Sequence, residues 1–231
     1  ILMGGFPDPF FRNDKIFLKR WQKERHQRIL YEDLRDLEQI KQVSLMEDLF
    51  YKLPERIGSQ LSYQSLANEL EINIRTIQHW IDIFDSLYLT FRVSPYVSGK
   101  LRLVKKAHRI YFWDWSANMN TGSLFENFVA SHLLKYCHFQ EDTQGSKMEL
   151  RYIRDVEGRE LDFVVLKDKK PLFAVECKNG ERAASPSIYY FKNKLPIPEF
   201  YQVHLGDKHF SPENGIEVLP FVKFCKKIKI P

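Results

Sequence analysis

The stretch from Gly158 to Lys178 limits the fold more than any other part of the chain. Two apolar runs rich in Val, Leu and Phe, Leu161 to Leu166 and Leu172 to Val175, flank a charged turn ending in Pro171. Short apolar runs about a turn predict a β-hairpin. Strand side chains alternate between faces. Leu161, Phe163 and Val165 therefore point one way and Asp162 the other, while Glu176 and Lys178 share a face that Cys177 does not. Two acids and a lysine can thus converge on one side of a sheet otherwise built for burial. Buried charge is costly unless it is paired or holds a metal. A salt bridge between Lys178 and a carboxylate, a hairpin with one solvated face, or a metal site would each satisfy that requirement.

Earlier segments set up helices. Residues 1–12, with Gly4, Gly5, Pro7 and Pro9, read as a loop. Asn13 or Asp14 can cap a basic helix running to about Leu30, and Leu34 to Ile40 and Ser44 to Leu53 read as further short helices. Ser62 can cap a helix holding Leu66, Ala67 and Leu70, and Asn73 a second one with Ile77, Trp80, Ile81, Phe84 and Leu87 on one face. Helix, tight turn and helix is the helix-turn-helix plan. Glu71 stands where such turns usually carry glycine. Leu87 to Val93 and Leu101 to Val104 then read as two strands around Ser98-Gly99-Lys100, which completes a winged-helix outline. Arg75 and His79 fall on the outer face of the second helix. Lys100, Arg102, Lys105 and Lys106 cluster near the wing. Such a cluster suits phosphate contact, although the same fold also serves packing or assembly.

Ile110 to Trp115 reads as a buried strand, and Asp114 as the residue that orders the following turn. Ser123 and Glu126 fit a capping box at the head of an apolar helix. The second half reads α-β-β-β-α-β, a mixed sheet with flanking helices. The tail from Val222 to Ile230 alternates lysine with apolar residues and is expected to pack only in part.

The 231 residues, 44% hydrophobic and 14% aromatic, suffice for one large domain or two small ones with real cores. The boundary is expected near Gly122, giving a helical and winged-helix region over 1–121 and an α/β domain over 122–231. A net charge of +5 permits nucleic-acid binding without requiring it. Three separated cysteines with no CxxC argue against a disulfide framework or zinc site and fit the cytoplasm. No apolar run reaches the length of a membrane span, so no membrane partner is expected. The G-x-x-x-x-G-K-S/T phosphate loop is missing, so no ATP site is expected in this chain.

Gly4-Gly5-Phe6-Pro7, the Leu66-Ala67-x-x-Leu70 helix with the following Thr76-Ile77, Glu160-Leu161-Asp162-Phe163-Val164 and Glu176-Cys177-Lys178 occur in that order. Together they resemble the C-terminal region of archaeal and bacterial AAA-superfamily ATPases, in which a winged helix precedes a PD-(D/E)xK restriction-endonuclease-like domain. The resemblance implies an α+β chain and an ATPase core of the same polypeptide lying before Ile1. It implies Mg²⁺ or Mn²⁺ at Asp162 and Glu176, with help from the Cys177 carbonyl, and gives Lys178 the task of orienting water or neutralising charge. It makes Glu126 a further acid of the site, a role that stands beside the capping-box reading. The implied activity is Mg²⁺-dependent cleavage of DNA. A nuclease-like module that only binds DNA or protein is the alternative.

Overall fold

The computed structural model describes residues 1–33, 43–97, 103, 106–117 and 121–231. These form two compact units, one of residues 1–92 with 109–120 and one of residues 93–108 with 121–231. The architecture is mixed α/β, helical at the N-terminus and sheet-rich thereafter.

In the first unit α1 (Pro7–Arg12) replaces the expected loop. Pro7 stands in the first turn, where its missing N–H costs nothing and its fixed φ is helical, and Asp8 adds an acid there. The glycines before it serve a close approach. A Cβ on Gly4 would lie 2.7 Å from Asp114 Oδ1, and one on Gly5 would lie 2.6 Å from the Trp115 ring. Asp114 is buried and accepts from the Ser116 amide and hydroxyl at 3.1 and 2.6 Å, the structural role its sequence context suggested.

α2 (Lys15–Arg28) starts at Asp14, whose carboxylate accepts from the amides of Ile16 and Phe17 at 2.7 and 3.3 Å. α3 (Val43–Lys52) buries Met46, Leu49 and Phe50. The Phe50 ring lies 5.5 Å from those of Phe84 and Phe112 and forms a hub of this core. The expected helix at 34–40 lies outside the described residues.

α4 (Tyr63–Leu70) and α5 (Ile74–Ser86) make the helix-turn-helix pair. Ser62 Oγ accepts from the Ser65 amide at 3.2 Å, and Asn73 Oδ1 from the Arg75 amide at 2.8 Å. Glu71 itself takes the left-handed conformation that ends α4, with φ 54°. Ile77, Trp80, Ile81, Ile83 and Phe84 line the buried face of α5. β1 (Thr90–Pro95) begins three residues later than its apolar run, because Tyr88 turns left-handed at φ 53°. β2 (Arg109–Phe112) runs beside β1. Of the expected wing strand 101–104 only Leu103 is described, and it bridges Asp155.

The second unit opens its continuous part with α6 (Thr121–Gln144). It starts two residues before Ser123, so Glu126 lies past the first turn and the capping-box reading is corrected. β3 (Met148–Arg154), β4 (Glu160–Lys167) and β5 (Lys170–Cys177) form an antiparallel meander. Asp168 and Lys169 both take positive φ, the signature of a two-residue hairpin turn. α7 (Pro186–Lys194) leads to β6 (Glu199–His204), which is parallel to β5. β7 (Phe210–Glu213) and β8 (Ile216–Pro220) follow, then α8 (Phe221–Ile228). From the end of β1 the strand order is β1-β3-β4-β5-β6-β8-β7.

The sequence pattern does not reveal β7, β8 or α8, and the tail is better anchored than its alternating lysines suggest. Phe221 and Phe224 are buried, and the Phe224 ring lies 5.2 Å from that of Tyr201. On the other parity of the sheet Val164, Leu166, Ala174 and Phe200 pack with Ile188 and Phe191 of α7.

Candidate active site

Beyond that apolar cluster, the sheet parity that packs on α7 becomes polar. Phe163 pairs with Val175, so Asp162 and Glu176 stand opposite each other one step further along the hairpin. Opposed residues on antiparallel strands share a face. Glu176 in turn pairs with Gln202 on parallel β6. Ligand sites in open sheets lie outside the carboxyl ends of parallel strands, and Glu176 sits at that end of β5. A cleft of about 310 Å³ opens there, lined by Glu126, Glu160, Asp162, Glu176, Lys178 and Arg182 among others.

The contacts are specific. Asp162 Oδ2 accepts from the Cys177 amide at 2.8 Å, which fixes the acid against the partner strand. The Lys178 ammonium donates to Glu176 Oε1 at 2.6 Å. The partner of Lys178 is therefore Glu176. Glu176 is 6% exposed, and its Oε2 is buried with no hydrogen-bond partner among the described residues. Burial and the neighbouring Asp162 charge push its carboxyl up to about 8, against the opposing pull of Lys178. Burial would lower the Lys178 ammonium, but its hydrogen bond and charge contact with Glu176 outweigh that and raise it.

Glu126 and Gly122, at the head of α6, line the same cleft, which thus brings together Asp162, Glu176, Lys178 and Glu126. Among the described residues no three His, Cys, Asp or Glu side chains are arranged as a ready metal-ligand set. An Mg²⁺ ion needs less, since it commonly binds through one or two carboxylates and keeps its waters. An orphaned carboxylate oxygen opposite a second carboxylate fits that donor set.

The expected DNA-contacting residues fall elsewhere. Arg75 and His79 are exposed on α5, and Lys106 is exposed. Lys100, Arg102 and Lys105 lie outside the described residues. The acids on that face of α5 are paired, since Arg92 donates to Asp82 and to Asp85, each at 2.6 Å.

Two polar residues of the site carried no sequence signal strong enough to select them. Gln202 is fully buried. Its Oε1 accepts from the Ser185 amide at 2.8 Å, and its Nε2 donates to the carbonyls of Arg182 and Ala183 at 3.2 and 3.0 Å. It ties the loop before α7 to the sheet, and Arg182 on that loop lines the cleft.

Residues 1–120, more than half of the chain, match the domain of unknown function DUF8612. The chain belongs to the DUF8612 family. Residues 121–224 of this DUF8612 chain match a second domain of unknown function, DUF4143, found in C-terminal regions associated with AAA ATPases. Two uncharacterized proteins of Methanocaldococcus jannaschii are similar. MJ1637 is 31% identical over 86% of this chain and 42% of its own length. MJ1544 is 22% identical over 97% of this chain and 54% of its own length. The DUF8612 chain thus spans about half the length of the curated relatives it matches. A solved assembly of Thermococcus gammatolerans McrB AAA+ hexamers with bound McrC shares 13% identity at a TM-score of 0.31, over 76% of this chain and 46% of that one. Among the described residues no helix is long and apolar enough to cross a membrane.

Proposed function

We propose that the sheet unit carries a divalent-metal-dependent phosphodiesterase site for DNA, of the PD-(D/E)xK kind, in the C-terminal region of an AAA-superfamily ATPase. The observation that carries the reading is Glu176 Oε2, buried and without a hydrogen-bond partner among the described residues, on a carboxylate that faces Asp162 across the hairpin. Asp162 and Glu176 would hold Mg²⁺ or Mn²⁺. When bound, such a cation acidifies water and offsets charge on a phosphoryl oxygen. The chain's own part is to place charge. The Cys177 amide fixes Asp162, Glu176 holds the Lys178 ammonium at the cleft, and that ammonium can donate to a phosphoryl oxygen. Glu126 adds a carboxylate to the cleft, able to accept a proton from attacking water.

DNA as substrate is supported by the helix-turn-helix pair with Arg75 and His79 on its open face, and by the basic run around Lys100, Arg102, Lys105 and Lys106. The ATPase would belong to the same polypeptide, for which the DUF4143 match gives support.

The Lys178–Glu176 contact favours a second reading, a nuclease-like module in which that contact only supports the fold. Asp162→Asn separates the two. The substitution keeps shape, removes the charge that binds a hard cation, and leaves the Lys178–Glu176 pair intact. The proposed reading expects wild-type protein to gain thermal stability in millimolar Mn²⁺ and to cleave DNA, and the variant to lose both while melting within a few degrees of metal-free wild type. A wild type that Mn²⁺ does not stabilise would leave only the module.

A further inference from the structure

We propose that Arg182 is a substrate-binding residue that grips a DNA phosphate beside the reacting one, and that Gln202 is the positioning residue that holds it there. The inference rests on the phosphodiesterase reading of the cleft. Arg182 lies on the cleft wall with Lys178, in a lining whose other charged residues are all acidic. Its side chain is exposed, and among the described residues it makes no ion pair or hydrogen bond, although four carboxylates line the same cleft. An arginine left unpaired beside so much negative charge is available to an anion. Its planar fork matches the geometry of a phosphate.

The loop that carries it is not left to solvent. Gln202 spends its whole amide on that loop, accepting from Ser185 and donating to the carbonyls of Arg182 and Ala183. Ser185 Oγ then accepts from the Ser187 amide at 3.3 Å and starts α7. Gln202 is also the register partner of Glu176. One buried side chain therefore ties the loop bearing Arg182 to the strand position beside the proposed metal-binding acid. An apolar residue would fill the space but leave three loop backbone groups without partners.

The test uses the 231-residue chain and a fluorescent DNA duplex, with affinity measured by anisotropy across a salt series, beside Mn²⁺-dependent cleavage of the same duplex. Arg182→Ala is expected to flatten the salt slope by about one unit, the signature of one lost phosphate contact. Arg182→Lys is expected to keep the slope, because the charge remains. Gln202→Met is expected to flatten the slope like Arg182→Ala, and the double variant no further than either alone. A Gln202 with only a packing role would lower the melting temperature and leave the slope unchanged. If the wild type binds and cleaves DNA while Arg182→Ala leaves the slope intact, this proposal falls and the phosphodiesterase reading stands. If the wild type neither binds nor cleaves, both fall.

Discussion

Glu176 presents one carboxyl oxygen to Lys178 and buries the other without a partner among the described residues. Its carboxyl is raised by burial and by Asp162 to about 8, against an ordinary value of 4.5. Between those two values the folded chain holds a proton that the unfolded chain has released, so stability falls as pH rises from about 4.5 through about 8. The raised Lys178 ammonium acts above its ordinary value of 10.5 and leaves that window alone. Urea titrations should show the midpoint declining across the window in wild type and a shallower decline in Glu176→Gln. A cation must displace the same proton, so the stabilisation by Mn²⁺ should be larger at pH 8 than at pH 6. A pH-independent metal effect would argue against Glu176 as a ligand. The convergence of Asp162, Glu176 and Lys178 was readable because strand parity is a local property. Arg182 was not, because its place depends on the parallel register of β5 and β6, set across the crossover through α7.

Helix starts were legible at three capping side chains, though not at Ser185, which starts α7. Asp14, Ser62 and Asn73 each accept from an amide in the first turn, as their positions suggested. Ser123 misled because α6 begins at Thr121, before the residues that fit the capping pattern. The helix at Pro7–Arg12 was hidden by Gly4 and Gly5, which serve the close approach to Asp114 and Trp115, and by the prolines beside them. Two turn positions carry a conformational cost that can be removed. Glu71 holds φ 54° at the end of α4, and Lys169 holds φ 66° in the β4–β5 turn. A non-glycine residue there crowds its own carbonyl oxygen, and glycine does not. Glu71→Gly and Lys169→Gly should each raise the unfolding free energy by roughly 0.5–1 kcal/mol, net of the extra freedom glycine has when unfolded. Denaturant melts showing a loss at either site would mean that the side chain makes a contact worth more than the strain. Asp168 is better left in place, since its carboxylate accepts from the Lys147 amide at 3.1 Å.

The two compact units do not follow the 120/121 division between the matched families. Composition drew the eye to Gly122, because the chain there leaves an aromatic strand and enters an apolar helix. What such a reading misses is that the described residues between 93 and 108 group with the sheet-rich unit. Ser94 and Pro95 pair with Arg151 and Tyr152 on β3, the Tyr96 amide donates to the Tyr152 carbonyl at 2.7 Å, and the Tyr152 hydroxyl donates to the Ala107 carbonyl at 2.6 Å. Leu103 is 4% exposed and packs in the cluster that holds Ile153, Leu161 and Phe191. A fragment of residues 121–231 would therefore lose a core leucine and bare the edge of β3, and an uncovered edge invites association between chains. Its melting temperature should fall well below that of the same unit in the intact chain, with aggregation at micromolar concentration. In the intact chain Leu103→Ala should cost about 2–4 kcal/mol, the usual range for truncating a buried leucine. Hydrogen exchange locates the effect: protection should drop at the β3 and β4 amides. A fragment that melts like the whole, or a Leu103→Ala chain with unchanged exchange in β3, would place the true boundary at 120/121 after all.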